Sequence, residues 1–522
     1  MPTAIATRPL VPLWAAIPVS ALGGVLLDVA FPAVAWWPMA FAAVALALVT
    51  LVGRSVTGAL AVGMAFGLAF YLLNVDFTAE WVGPLPWIAL SVLEALFVAG
   101  GAVLIALAYR WTPRVAPRRG RVMLTAALVA GLWTAREAVN GGFPYGGFPW
   151  GRVGTSQVSG PFAEVVSWTG TAGLTFLVVG LVAAGVELVR SPRRARGDGV
   201  RTLLPVAVLA VVATALLLMP AWATTPAGAM RVAAVQGDGP AGYFDERQAG
   251  DVLESQYEAT VPLFGADDVD VVLWPEGGVD VDPDASPAAA AALDRVVREV
   301  DAPLVANRID QRGDEFFNMS FLWQDGIQQT YDKRNPVPFG EYVPDRAFYA
   351  SIAPDLIGMI GRDYTPGTDP PVFDVDGTLA GLAICFDVIY DALVWEGARD
   401  GARLYLFQTN NADFRGTDEN LQQLAVARLR AVETGRSVVN LSTVGTSQVI
   451  APDGSTIEGL PADEPGHMLT DVPLRTGLTP AVIAGGWVNG LLSWGSVAVL
   501  VGLGLAARMR GSGRANAKTP TP

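Results

Sequence analysis

Long apolar runs, almost free of charge, constrain this chain more than any other feature. A membrane-crossing helix needs about 20 largely apolar residues. Runs of that kind lie near 10–27, 33–52, 56–75, 85–109, 121–139, 165–187, 202–222 and 481–507. The first is short and ends at Asp28 and Pro32, and the fifth runs into Arg136 and Glu137. Glu94 lies inside the fourth, where a carboxylate is costly in lipid and is expected to face the helix bundle. The stretch 230–475 reads like a soluble protein. The whole chain is therefore only 16% charged, where soluble proteins carry roughly 25%.

The basic residues sit in short clusters beside the apolar runs. Arg8, Arg54, the set Arg110, Arg114, Arg118, Arg119 and Arg121, and the set Arg190, Arg193, Arg194, Arg196 and Arg201 flank alternate loops. Arg508, Arg510, Arg514 and Lys518 follow the last run, whereas the loops near 28–32 and 76–84 carry acids and no Lys or Arg. In the loop 140–164, Arg152 is the only basic residue. Positive charge collects on the cytoplasmic side. The expected topology has both termini cytoplasmic and the 230–475 domain outside, with the first span retained rather than cleaved as a signal. The expected organisation is a seven-helix membrane domain over 1–228, an α/β domain over 229–476, a closing helix over 477–510 and a cytoplasmic tail over 511–522. The net charge of −14 and the absence of a basic face exclude nucleic acid as a partner.

Rare residues narrow the chemistry. Cys385 is the single cysteine and His467 the single histidine; the lysines are Lys333 and Lys518. No intramolecular disulfide and no multi-histidine or multi-cysteine metal site can be built from that inventory. His467 reads as a surface residue.

In the α/β part, strands are expected at Met230–Gln236, Asp268–Trp274, Pro303–Asn307 and Leu404–Gln408. Helices are expected at Ser286–Val300 and Asn420–Thr434. Asp325-Gly326, between Asn318–Trp323 and Ile327–Tyr331, and Asp376-Gly377, between Pro371–Asp374 and Leu379–Ile384, signal hairpins. Val438–Leu441 and Ser447–Ile450 lead to a turn at Asp453-Gly454. Glu276, Lys333 and Cys385 each follow one of these strands, where side chains of an α/β fold converge. Phe339 to Ile360 mixes apolar and charged residues, which suits a lid on the membrane surface and equally an ordinary loop with a short helix.

Several segments carry a resemblance. Gly142-Phe143-Pro144, Gly147-Phe148-Pro149-Trp150-Gly151 and Gly154-Thr155-Ser156-Gln157 precede the sixth apolar run. Leu273-Trp274-Pro275-Glu276, Tyr331-Asp332-Lys333-Arg334, Pro338-Phe339-Gly340-Glu341-Tyr342-Val343-Pro344, Ile384-Cys385-Phe386-Asp387 and Ala427-Arg428-Leu429-Arg430-Ala431-Val432-Glu433 follow in order. The chain resembles the nitrilase superfamily and, within it, the bacterial apolipoprotein N-acyltransferase family. The resemblance implies an extracytoplasmic α-β-β-α sandwich on a multi-span membrane domain, working as a monomer in the bacterial plasma membrane without a cofactor. It implies transfer of an acyl chain from a phospholipid to the α-amino group of a diacylglyceryl-modified cysteine on a lipoprotein. Cys385 would carry the acyl group as a thioester, Glu276 would move protons, and Lys333 would hold the oxyanion with the backbone N–H of Phe386. Glu341 and Asp387 would support them. The chain departs from the family at Phe386-Asp387, where Tyr-Glu is common, at Asp413 within Asn410-Asn411-Ala412-Asp413-Phe414, and at Phe244. These positions are expected to line the substrate mouth.

Two other readings compete. A membrane-tethered nitrilase-type amidase would pass the acyl group to water, although the Phe-Pro-Trp segment is more than a tether needs. A non-enzymatic scaffold for a polyprenyl-phosphate sugar transferase would have no need of Glu276, Lys333 and Cys385. The last run is followed by a short polar tail, so no fused transferase is expected.

Overall fold

The computed structural model describes residues 8–116, 120–190 and 199–516. Arg118, Arg119, Arg193, Arg194, Arg196 and Lys518 lie outside the described residues. The chain divides into two compact units, one of residues 1–76, 85–220 and 484–522, the other of 77–84 and 221–483.

The first unit is helical. It contains α1 (Leu13–Asp28), α2 (Pro38–Leu51) and α3 (Val56–Asn74). After α4 (Thr78–Val82), which folds with the other unit, come α5 (Pro84–Val115), α6 (Arg121–Asn140), α7 (Val166–Arg190) and α8 (Gly199–Leu217). A closing helix spans Pro480–Asn516. Val56–Asn74, Pro84–Val115, Arg121–Asn140, Ala163–Arg190 and Pro480–Arg510 are each long and apolar enough to cross a membrane by length and composition. Leu13–Asp28, Pro38–Leu51 and Val206–Leu217 are shorter apolar helices. The expected run 33–52 becomes helical only at Pro38, because a proline suits the first helical position. The fourth run is longer than expected, 32 residues. Small residues let these helices approach closely: a Cβ on Gly67 would lie 2.6 Å from the Ala95 Cα, and one on Gly24 2.3 Å from the Phe66 carbonyl.

Glu94 faces the interior and accepts Asn140 Nδ2 at 2.5 Å. Arg136 and Glu137 do not end α6; the helix carries both, buried, through to Asn140. The following segment, with the Phe-Pro-Trp-Gly sequence, is not helical, so its backbone donors need other acceptors. Glu137 supplies one: Oε1 accepts Val153 N at 3.1 Å and Trp133 Nε1 at 3.0 Å, and Oε2 accepts Thr175 Oγ1 at 2.9 Å. The same Thr175 hydroxyl accepts Gly154 N at 2.9 Å. Glu137→Leu strands these donors in a dry interior. It is expected to cost about 3 kcal/mol, read as a lower unfolding temperature of the purified protein in detergent. An unchanged unfolding temperature would contradict this role.

The second unit is a four-layer sandwich. One sheet has the order β12-β1-β2-β3-β4-β5, built from β1 (Thr225–Gln236), β2 (Val271–Leu273), β3 (Leu304–Arg312), β4 (Glu315–Trp323), β5 (Ile327–Asp332) and β12 (Gly466–Thr476). The other has the order β11-β10-β9-β8-β7-β6, from β6 (Val372–Val375), β7 (Thr378–Ile384), β8 (Leu404–Thr409), β9 (Ser437–Ser442), β10 (Ser447–Ile450) and β11 (Thr456–Leu460). Val232, Val271, Leu273 and Val305 of one sheet pack against Leu382, Ile384, Leu406 and Val439 of the other. Outside the first sheet lie α9 (Asp251–Thr260) and α10 (Pro287–Val300), whose Leu253, Leu293 and Val296 cluster with Val272 and Phe321 of the sheet. Two short helices, α11 (Arg346–Ile352) and α12 (Pro354–Met359), come next, followed by α13 (Asp391–Arg399) and α14 (Glu419–Thr434), which cover the second sheet. This is the expected α-β-β-α nitrilase-like architecture.

Both expected Asp-Gly hairpins form, with φ of 54° and 104° at Asp325 and Gly326 and 48° and 81° at Asp376 and Gly377. Ser286 caps α10 rather than opening it, its Oγ accepting Ala289 N at 3.3 Å. The third expected strand is too short: β3 runs on to Arg312 and pairs with β4 from Leu304↔Trp323 to Arg312↔Glu315. His467 is half-buried on β12, opposite Val235. Phe339 to Ile360 holds α11 and α12, tied down by Arg346, whose Nη2 meets Asp363 at 2.6 Å and whose Nη1 donates to the Ile360 carbonyl at 3.0 Å. Phe348, Ile352 and Met359 are exposed there. The segment 77–84, expected as a plain loop, belongs to this unit. Its Phe77 ring meets Phe414 at 5.5 Å, and Trp81 meets Tyr243 and Phe244 at 5.1 and 5.5 Å.

Candidate active site

Parallel pairing fixes where the first side chain appears. β2 lies between β1 and β3, parallel to both, so the chain leaves its C-terminal end directly into Trp274-Pro275-Glu276. The Trp274 carbonyl accepts Gln408 Nε2 at 2.7 Å and its indole donates to Thr260 Oγ1 at 3.0 Å. Gly277 turns the chain with φ +68° while its N–H donates to Asn307 Oδ1 at 2.7 Å. Glu276 is thereby held on both sides. Lys333 follows β5, pinned by its N–H to the Asn318 carbonyl and by its carbonyl to Gly367 N, both at 2.8 Å. A Cβ on Gly367 would sit 2.1 Å from the Asp332 carbonyl oxygen, so only glycine lets the chain pass there.

Cys385 follows β7 and begins a 3-10 turn, Cys385–Ile389, with φ +48°. That left-handed conformation is uncommon for a residue with a Cβ and is held by its surroundings. Asp387 is among them. It is wholly buried and accepts Tyr331 Oη at 3.1 Å, Asn335 N at 2.9 Å and Asn335 Nδ2 at 2.8 Å. It does not line a mouth, contrary to expectation. Phe386 is also buried, its ring 5.5 Å from Tyr390. Of the departures, Phe244 is half exposed, while Asp413 accepts Tyr243 N at 2.7 Å. Burial pushes the Asp413 carboxyl up to about 6.

The three charged groups meet in one place. Lys333 Nζ lies 3.3 Å from Glu276 Oε1 and 2.9 Å from Glu341 Oε2, with only 1% of the lysine exposed. Asn318 Nδ2 bridges the two carboxylates, 2.6 Å from Glu276 and 3.0 Å from Glu341. Asn307 Nδ2 orients Asn318 through its Oδ1 at 2.9 Å. These asparagines were not foreseen. The hairpin β3–β4 places them diagonally across the pair, Asn307 opposite Ser320 and Asn318 opposite Ile309, and short polar residues in buried strands were the only signal.

Electrostatics follow from this geometry. Burial alone would make Lys333 give up its proton, but the Glu276 and Glu341 carboxylates outweigh it and hold the ammonium charged well past its ordinary value. Burial pushes Glu276 up, against the pull of Lys333. Burial, followed by the Glu276 carboxylate, pushes the Cys385 thiol well up, against the same lysine. The thiol is therefore protonated at rest, beside a carboxylate more basic than usual. Such a pair suits proton transfer during nucleophilic attack, with a fixed ammonium for charge that develops. Among the described residues, no cluster of His, Cys, Asp and Glu could hold a metal ion.

Comparison with known proteins agrees along the chain. Residues 23–184 match the apolipoprotein N-acyltransferase N-terminal domain, and residues 231–477 match the carbon-nitrogen hydrolase family. An apolipoprotein N-acyltransferase from Mycolicibacterium smegmatis is 33% identical over 520 residues, covering 92% of this chain and 83% of its own. One from Azotobacter vinelandii is 30% identical, covering 90% and 91%. Among solved structures, an amidase of the nitrilase superfamily from Nesterenkonia aligns at TM-score 0.37 and 21% identity over 48% of this chain and 94% of its own. With both domains matched in order and the relatives covered over most of their length, this chain belongs to the apolipoprotein N-acyltransferase family.

Proposed function

We propose that this membrane enzyme moves an acyl chain from a phospholipid to the α-amino group of the S-diacylglyceryl-cysteine at a lipoprotein N-terminus. Cys385 attacks the ester carbonyl as Glu276 takes the thiol proton. The carbon–sulfur bond forms, the carbon–oxygen bond breaks, and lysophospholipid leaves with the proton. The incoming amine then attacks the thioester, gives a proton to Glu276 and releases Cys385, a ping-pong sequence. Lys333 holds the oxyanion in both halves, with the Phe386 N–H as a second donor. Glu341 orients Lys333, and Asp387 shapes the turn that presents Cys385. Both termini are cytoplasmic, the α/β unit lies outside, and the enzyme works as a monomer.

One observation carries this reading: a buried ammonium held between Glu276 and Glu341, whose charge reaches a strained cysteine, in a chain whose remaining mass is apolar helix. The test is mass spectrometry of a diacylglyceryl lipopeptide incubated with phospholipid and purified enzyme. A gain of one amide-linked acyl chain is expected. Release of free fatty acid with no gain on the peptide would assign the protein to hydrolysis instead.

A further inference from the structure

We infer that Gln423 is a further catalytic group, a hydrogen-bond donor aimed at the Cys385 sulfur, with Asn411, Glu419 and Ser442 as positioning residues that fix which end of its amide faces the thiol. The inference rests on the acyl-transfer reading for its purpose, though not for its test.

The geometry is a chain of hydrogen bonds with one consistent direction while Glu419 is ionised. It starts at Gly445, whose backbone N–H can only donate and does so to Ser442 Oγ at 2.8 Å. The Ser442 hydroxyl then gives its proton to Asn411 Oδ1 at 2.6 Å. With its oxygen so engaged, Asn411 presents Nδ2 to Gln423 Oε1 at 3.2 Å and to Glu419 Oε2 at 2.6 Å. Gln423 in turn must present Nε2, which lies 3.5 Å from Cys385 Sγ. Reversing Asn411 would set its oxygen against Gln423 Oε1 and Glu419, and reversing Gln423 would set its NH2 against that of Asn411. Gln423, Asn411, Glu419 and Ser442 are all buried, so water does not compete for these bonds. A Cβ on Gly445 would lie 2.5 Å from Asn411 Oδ1, so a side chain there would push on the amide.

Such a donor is needed because the thiol's other surroundings resist ionisation. The charged groups facing Cys385 are Glu276 after β2, Lys333 after β5, Glu341 in the loop beyond it and Glu419 on α14, and Lys333 is the only cation among them. Burial pushes Glu419 up to about 7, against the pull of Asn411. Ionised, as it is at the higher pH where the thiol titrates, Glu419 can only accept and holds Asn411 Nδ2 in this orientation. Gln423 adds no charge and favours sulfur when it is negative, as the attacking thiolate and again as the group that leaves the thioester.

Cys385 is the single cysteine, so alkylation by iodoacetamide reports it alone. The experiment follows the alkylation rate of the full-length protein in detergent across pH. Gln423→Leu is expected to move the midpoint upward and to slow alkylation below the midpoint by about tenfold. Gln423→Glu, nearly the same shape but with a carboxylate toward the sulfur, is expected to move it further. Asn411→Ala and Ser442→Ala shift it in the same direction by less, which a purely structural role would not do. A midpoint unmoved in both Gln423 variants overturns the donor role, and one unmoved in Asn411→Ala and Ser442→Ala overturns the positioning chain. Alkylation needs no lipid, so shifted midpoints in a protein that transfers no acyl chain would leave Gln423 in place and remove only the acyl-transfer reading.

Discussion

Cys385→Ala is expected to abolish both the acyl-enzyme and the acylated lipopeptide, a loss on the order of a millionfold by analogy with removal of other catalytic nucleophiles. The expected size follows from the site. Glu276 and Lys333 are buried and Glu341 is half-buried around a sulfur that no second thiol can replace. Without the sulfur, the amine would have to attack the phospholipid ester directly. A hydroxylamine-sensitive acyl group on wild-type protein incubated with phospholipid alone, absent in Cys385→Ala, is the measurement. Labelling of both proteins would place the nucleophile elsewhere. The fold should survive, because Cys385 packs only at the edge of the inter-sheet core.

Lys333→Met is expected to damage activity and stability together. Losing an oxyanion donor costs roughly a hundred- to a thousand-fold in rate. Losing the cation that Glu276 and Glu341 share leaves their negative charge uncompensated, at a cost of about 3–5 kcal/mol. The pH dependence has a definite sign. In the wild type, the raised Lys333 keeps its stabilising charge at all pH values below its ordinary 10.5, and loses it only as pH rises through the raised value. In the variant, Glu276 loses the pull of the lysine and rises further above its ordinary 4.5. A raised carboxyl stabilises the fold fully below that ordinary value and loses its contribution as pH climbs through the raised one. The deficit of Lys333→Met is therefore expected to be largest at neutral pH and to shrink in acid, as thermal unfolding from pH 4 to pH 8 would reveal. A deficit independent of pH would contradict the pairing. Lys333→Arg is also expected to be poorly active, because a planar fork cannot sit where a compact ammonium meets two carboxylates.

How far these features could be read from sequence depended on how local their causes are. The Asp325-Gly326 and Asp376-Gly377 turns require positive φ at adjacent residues, a property of the dipeptides themselves, and their hairpins form as expected. Glu276 and Cys385 follow apolar runs that read as strands, and a residue after a parallel strand leaves at one edge of the sheet. By contrast, β3 beyond Asn307 alternates weakly, and its extension to Arg312 is dictated by pairing with β4. Asn318 and Gln423 had no distinguishing pattern. A glutamine on a helix looks the same in sequence whether it faces solvent or sulfur, and only the placement of α14 beside the turn at Cys385 separates the cases. Asp387 was misread for the same reason. Its departure from the family pattern suggested a mouth, while its contacts with Tyr331 and Asn335 come from another strand and loop.

The segment Phe77–Pro84 belongs to the α/β unit although helices of the other unit precede and follow it. The catalytic body is thus discontinuous in the gene. A ribosome delivers Phe77 and Trp81 long before Tyr243, Phe244 and Phe414, the rings they pack against. During synthesis those early aromatics stay uncovered while much of the polypeptide is still to be made. A fragment beginning at residue 221 would carry the opposite fault, with Tyr243, Phe244 and Phe414 complete but missing the rings that cover them. Neither half of this polypeptide finishes its own surface.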